Sequence, residues 1–127
     1  MLIYISGAIS SDPYYKRKFA DAEKVLTKKG HDVINPAYIA TALPKMEHEQ
    51  YLHIDKALID ICDAVYFLKD WGSSDGAREE YIYVIKENDL RTGRMMPVVD
   101  GIQRMNSIKP PIKLIFEGEN EKENEDG

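Results

Sequence analysis

Cysteine is nearly absent from this chain of 127 residues. Cys62 stands alone and has no internal partner for a disulfide. That fits a reducing compartment and a fold that needs no covalent staple. No apolar stretch approaches the ~18 residues needed to span a bilayer, so no membrane partner is expected. The opening MLIYISGAIS has no basic segment ahead of its apolar run. It reads as a strand and not as a signal peptide, and a cytoplasmic location is the expectation. Positive charge is also scarce: 17 Lys and Arg stand against 22 Asp and Glu, for a net charge of -5. Binding to nucleic acid polymers relies on many cations at the phosphates, so such a partner is not expected. A single nucleotide needs far fewer.

Three classes of site are missing as well. The three histidines, His31, His48 and His53, have no metal-ligand spacing with Cys62. No metal and no cofactor are expected. No Ser-His-Asp or Cys-His arrangement can be defended, and Cys62 reads as a core residue. Neither GxGxxG nor a Walker motif occurs.

What is present is an alternation of strand and helix patterns. Apolar residues make up 43% of the chain, enough for a core in one domain of this length. Residues 2–5 form a β-prone run ending at Ser6-Gly7. Asp12 can cap a helix with Pro13 at its first position. Phe19, Ala22, Val25 and Leu26 follow at helical spacing, and Gly30 ends the helix after Lys28 and Lys29. A second strand, 31–35, is cut off by Pro36. Residues 37–44 read as an irregular or short helical lid.

A helix is expected over about 47–61, with Leu52, Leu58 and Ile59 on its apolar face. Residues 63–68 are nearly all apolar, as in a strand buried on both faces of a parallel sheet. After a loop at 69–74, a helix over 75–87 carries Ala77, Tyr81, Val84 and Ile85. Residues 95–99 read as a fourth strand. Residues 112–116 are a candidate fifth strand, weakened by Pro110-Pro111 before it. Residues 117–127 are polar and mostly acidic, and they read as a disordered tail after a domain over 1–116.

The order β-α-β-α-β-α-β predicts an α/β three-layer sandwich, flavodoxin-like or Rossmann-like, with a mostly parallel sheet of four to five strands. Such sheets bind ligands at the carboxyl ends of their strands, beside the switch in strand order. The loops at 6–11, 35–40 and 69–75 should meet there.

Three groups near those loops can carry chemistry. Tyr4-Ile5-Ser6-Gly7-Ala8-Ile9-Ser10-Ser11 offers a glycine, hydroxyls and backbone N–H groups to an anion, or is an ordinary strand-to-helix turn. In Asp70-Trp71-Gly72-Ser73-Ser74-Asp75-Gly76-Ala77-Arg78-Glu79-Glu80, Ser74 or Asp75 can cap a helix, and Gly76 and Ala77 are small. Glu80 can point back toward the helix start as an ionised nucleophile. The plainer alternative is a capping pattern with Glu79 and Glu80 in solvent. Asp55, on the helix before the third strand, either faces the same cleft or is a surface residue beside Lys56. Trp71, the only tryptophan, either stacks on a base or packs on the core.

The runs IYISGAIS, GHDVINPA, ALIDICDAVYFLKDW and SSDGAREE, in that order, resemble the nucleoside 2-deoxyribosyltransferase superfamily. The likeness covers roughly residues 2–100. It is greatest to a small phage and bacterial branch described as a domain of unknown function, related to 2'-deoxynucleoside 5'-phosphate N-hydrolases. The resemblance implies a flavodoxin-like fold and a catalytic glutamate in the motif S-x-G-x-x-x-E, here Ser74, Gly76 and Glu80. It implies catalytic roles for Asp55 and for Tyr4, which in relatives positions the glutamate. It makes Ser6, Gly7 and Ser10 possible phosphate ligands and puts Ser74 and Gly76 at the substrate, where Trp71 is the candidate for base stacking. Serine at position 74 is the residue found in nucleotide hydrolases, where transferases have aspartate.

The expected function is thus N-glycosidic cleavage of a (deoxy)nucleoside 5'-monophosphate with Glu80 as nucleophile, releasing free base. The alternatives are base exchange by 2-deoxyribosyl transfer and a noncatalytic nucleotide-binding sensor. The resemblance also implies a homodimer or larger homo-oligomer in which a neighbour completes the site, with Asn106 or Ser107 as candidates. The stretch 88–94 is longer than in the superfamily, and the tail after Phe116 has no counterpart there.

Overall fold

The computed structural model describes residues 1–94, 98–99, 102–103 and 109–119. Strand β1 (Leu2–Ser6) leads to helix α1 (Tyr15–Lys28) and strand β2 (Asp32–Ile34). Helices α2 (Pro36–Ala42) and α3 (His48–Asp60) precede strand β3 (Ala64–Phe67). A 3-10 turn at Trp71–Ser73 opens into helix α4 (Asp75–Arg91). Strands β4 (Val98–Val99), β5 (Ile102–Gln103) and β6 (Lys113–Phe116) follow.

The main sheet has the order β2-β1-β3-β6 and is parallel throughout, with Tyr4 beside Ile34 and Val65, and Val65 beside Leu114. Side chains alternate across it. Ile3, Ile5, Ala64 and Tyr66 pack with Phe19, Ala22 and Leu26 of α1 and Ala37 of α2. Tyr4, Val65 and Phe67 point the other way, to Ile59 of α3 and Val84 of α4. Two helical layers around a parallel sheet make the expected three-layer α/β architecture. The chain runs from β1 out to β2 and returns to β3 on the other side of β1, so strand order reverses beside β1.

Several local expectations change. The strand expected at 95–99 does not join the main sheet: Val98–Val99 pairs antiparallel with Ile102–Gln103, and residues 95–97 lie outside the described ones. The fourth place belongs to Lys113–Phe116. Pro110-Pro111 does not prevent this, because both prolines precede the strand and take no ladder bond. Asn88 fixes the entry through Ile112 N–H to its Oδ1 at 2.7 Å and its own Nδ2 to Ile112 O at 2.9 Å. The stretch expected to be a disordered tail starts inside the fold: Glu117 N–H donates to Phe67 O at 2.9 Å, and Lys69 N–H donates to Glu117 Oε1 at 2.9 Å.

Helix ends move too. Helix α1 begins at Tyr15 without a side-chain cap; Asp12 instead accepts from Tyr14 N–H and pairs with Lys18. Val25 and Ile85 lie on solvent faces. Within the segment expected as a lid, Pro36–Ala42 is a helix capped by Asn35, whose Oδ1 accepts from Ala37 N–H at 3.0 Å, with Pro36 at its first position. A capping box between Glu47 and Gln50 starts α3. Among the described residues, no helix is long and apolar enough to cross a membrane.

Candidate active site

Tyr4 and Ser6 are two apart on β1, so both side chains leave the sheet on the α3/α4 face. Helix α4 lies above them. Its buried stripe is Ala77, Glu80, Val84 and Arg91, which sets Glu80 against the sheet. Glu79 is on the outer side and pairs with His48. The Tyr4 hydroxyl donates to Glu80 Oε2 at 2.6 Å, and the Ser6 hydroxyl donates to Oε1 at 2.7 Å. Each carboxylate oxygen thus has its own buried donor, and Glu80 is only 5% exposed. The Asp55 side chain reaches in from α3 and interacts with both Tyr4 and Glu80.

The two carboxyls change each other's chemistry. Burial, and then the negative charge of Asp55, push Glu80 well above the ordinary carboxylate range, while the Tyr4 and Ser6 hydrogen bonds pull the other way. Asp55 is raised by burial, against lowering contributions from Glu80, Tyr4 and the charge of His48. Tyr4 is raised by its burial and by both acids, so its phenol stays protonated and donates. Two carboxyls this strongly coupled titrate as a unit and, between their two steps, hold one proton between them.

A cavity of about 260 Å³ opens over this group. Much of its lining is apolar, from Ile5, Ile9, Phe19, Pro36, Ile39 and Leu52. Tyr4, Gly7, Ser10, Asp55, Ser74, Gly76 and Glu80 all line it. Ser74 caps α4, accepting from Ala77 N–H at 3.2 Å. The loop after β1 is tied down: Ala8 N–H donates to Asp70 Oδ1 at 3.2 Å, and Lys18 bridges Asp70, at 3.0 Å, and Asp12. Gly7 is required by packing, since a Cβ there would lie 2.7 Å from Leu68 Cδ1.

The amino-terminal stretch that builds this cavity matches a known family over residues 1–90, a domain of unknown function, DUF4406. The chain belongs to DUF4406. The matched span of this DUF4406 chain holds Tyr4, Ser6, Asp55 and Glu80 and ends before β6. No curated protein and no solved structure matches it.

Two expected substrate contacts have other partners. Ser6 serves Glu80 and does not line the cavity of this DUF4406 chain. Trp71 is outside the cavity too, stacked on Tyr81 at 4.9 Å between ring centres and packed on Phe67 and Phe116. Clustered rings bury more apolar surface than a single ring over an open pocket. Residues 104–108, with the candidate neighbour-site residues Asn106 and Ser107, lie outside the described residues. His48, Tyr51 and Leu52 line the cavity and were not anticipated. The signal was available: they precede Asp55 by seven, four and three positions, which places them on its helical face.

Proposed function

We propose that this protein cleaves the N-glycosidic bond of a (deoxy)nucleoside 5'-monophosphate, with Glu80 as nucleophile and Asp55 as acid and base. The observation that carries the reading is a buried glutamate, held at both oxygens by Tyr4 and Ser6, that lines one cavity with a second carboxyl, Asp55. A purely structural glutamate costs stability in such a place. A nucleophile needs its orientation and limited access to water. The likeness to the deoxyribosyltransferase superfamily supports the same assignment.

In the proposed reaction the shared proton passes to Asp55, leaving Glu80 ionised with two hydroxyl donors. A Glu80 oxygen attacks C1', and the C1'–N bond breaks through an oxocarbenium-like transition state. The bonding pair goes to the base nitrogen, and Asp55 supplies the proton to the departing base. Asp55, now a carboxylate, takes a proton from water as that water attacks C1' and frees Glu80. This is the two-step course of a retaining glycosidase. A homodimer or larger assembly belongs to the same reading, and an apparent mass above that of one chain would support it.

The test is a panel of ribo- and deoxynucleosides and their 5'-monophosphates, with free base followed by chromatography. Glu80→Ala and Glu80→Gln are expected to lose roughly 1,000-fold or more in rate. Base release by Glu80→Ala at the parent rate would end the proposal. Formation of a new nucleoside when a second base is added would mark transfer in place of hydrolysis.

A further inference from the structure

Among the described residues, the cavity lining contains two acids, Asp55 and Glu80, and neither Lys nor Arg. A ligand carrying negative charge meets repulsion there unless another lining group offsets it. Among the described lining residues only His48 can carry a positive charge. We propose that His48 is the residue by which this cavity recognises a phosphate monoester, and so selects a nucleotide over a nucleoside. This rests on reading the cavity as a nucleotide site.

His48 opens α3 two turns before Asp55. Its Nε2 lies 3.0 Å from Glu79 Oε2, which fixes the ring from α4. Nδ1 has no protein partner among the described residues. The imidazole lies over Gly76: a Cβ there would be 3.7 Å from His48 Cε1 and 3.9 Å from Ser74 Oγ. Both are ordinary contact distances, so the protein's own packing does not demand glycine. The missing side chain leaves a gap between the imidazole and the Ser74 hydroxyl, and all three residues line the cavity. Ser74 Oγ already accepts from Ala77 N–H, so its proton remains available to donate. A phosphate seated in the gap accepts from the imidazolium and from Ser74. Glu79 on α4 and, within its own helix, Asp55 face His48, and Glu49, His53, Lys56 and Lys86 line a second groove that His48 also borders.

The experiment is calorimetric titration of the Glu80→Gln protein, in which turnover is removed. Deoxynucleoside 5'-monophosphates of the four common bases are compared with the matching nucleosides. The monophosphate is expected to bind more tightly. Adding His48→Ala should weaken it by roughly 10- to 100-fold, the size of a lost charge-assisted hydrogen bond, with a far smaller change for the nucleoside. His48→Arg keeps the charge and should retain the preference. His48 is largely exposed, with 59% of its side chain accessible, so folding is not at stake. Equal losses for both ligands, or a monophosphate that binds no better than its nucleoside before His48 is changed, would overturn the proposal. Base release is read separately on the parent. A monophosphate bound through His48 but left intact defeats the glycosidase reading alone. One that is cleaved while His48→Ala leaves its affinity unchanged defeats the role of His48 alone.

Discussion

Replacing Glu80 by Gln should flatten the dependence of stability on pH, an effect independent of any substrate. Burial and Asp55 raise the Glu80 carboxyl, so the folded protein holds a proton that the unfolded chain releases near pH 4.3, about the ordinary glutamate value. The stability tied to that proton is fully present below the unfolded value. It is lost as pH rises through the higher folded value, because the unfolded state then binds fewer protons. Each unit of displacement corresponds to about 1.4 kcal/mol. For a domain of this size ~1 kcal/mol moves the melting temperature by roughly 3–5 °C. Glutamine fills the same volume, accepts from one hydroxyl through its oxygen and donates to the other through its amide, and has no charge to desolvate. The assay is thermal unfolding of parent and Glu80→Gln from pH 5 to pH 9. Relative to the variant, the parent should lose at least about 4 °C across that range. Melting curves that shift in parallel, with a constant difference at every pH, would show that Glu80 does not titrate from a buried, proton-holding site.

Tyr4→Phe keeps the ring in the core and removes the donor to Glu80 Oε2. Base release should fall by roughly 10- to 100-fold, and the acid limb of its pH profile should move to higher pH, because the lost bond lowers the Glu80 value; an unmoved limb would count against this pairing. Gly7→Ala puts a methyl 2.7 Å from Leu68 Cδ1. It should destabilise by about 1–3 kcal/mol in urea unfolding, and a midpoint equal to the parent's would show that the loop yields freely.

Much of the fold was legible in the sequence because its causes are local. Apolar runs at residues 2–5 and 63–68 announced buried strands, and the spacing of Ala77 and Val84 set the inner face of α4. That spacing also distinguishes Glu80 from Glu79, since three residues after Ala77 the helix has nearly completed a turn. Residues 98–99 and 112–116 were harder, because short β-prone runs look alike and only pairing decides which one joins the sheet. The side chain of Asn88, far from β6 in sequence, anchors the entry to that strand.

By itself the sequence determined the alternation of elements, the parallel sheet and the loops that meet at its carboxyl edge, since periodicity and turn chemistry act over a few residues. Tertiary structure alone decided the partners. It turned Ser6 toward Glu80, drew Trp71 into an aromatic cluster and brought His48 beside Gly76. Those contacts join groups 28 to 74 positions apart, or choose among neighbours competing for one buried space. No local pattern encodes a distance in space; only the packing of α3 and α4 on β1 and β3 fixes it.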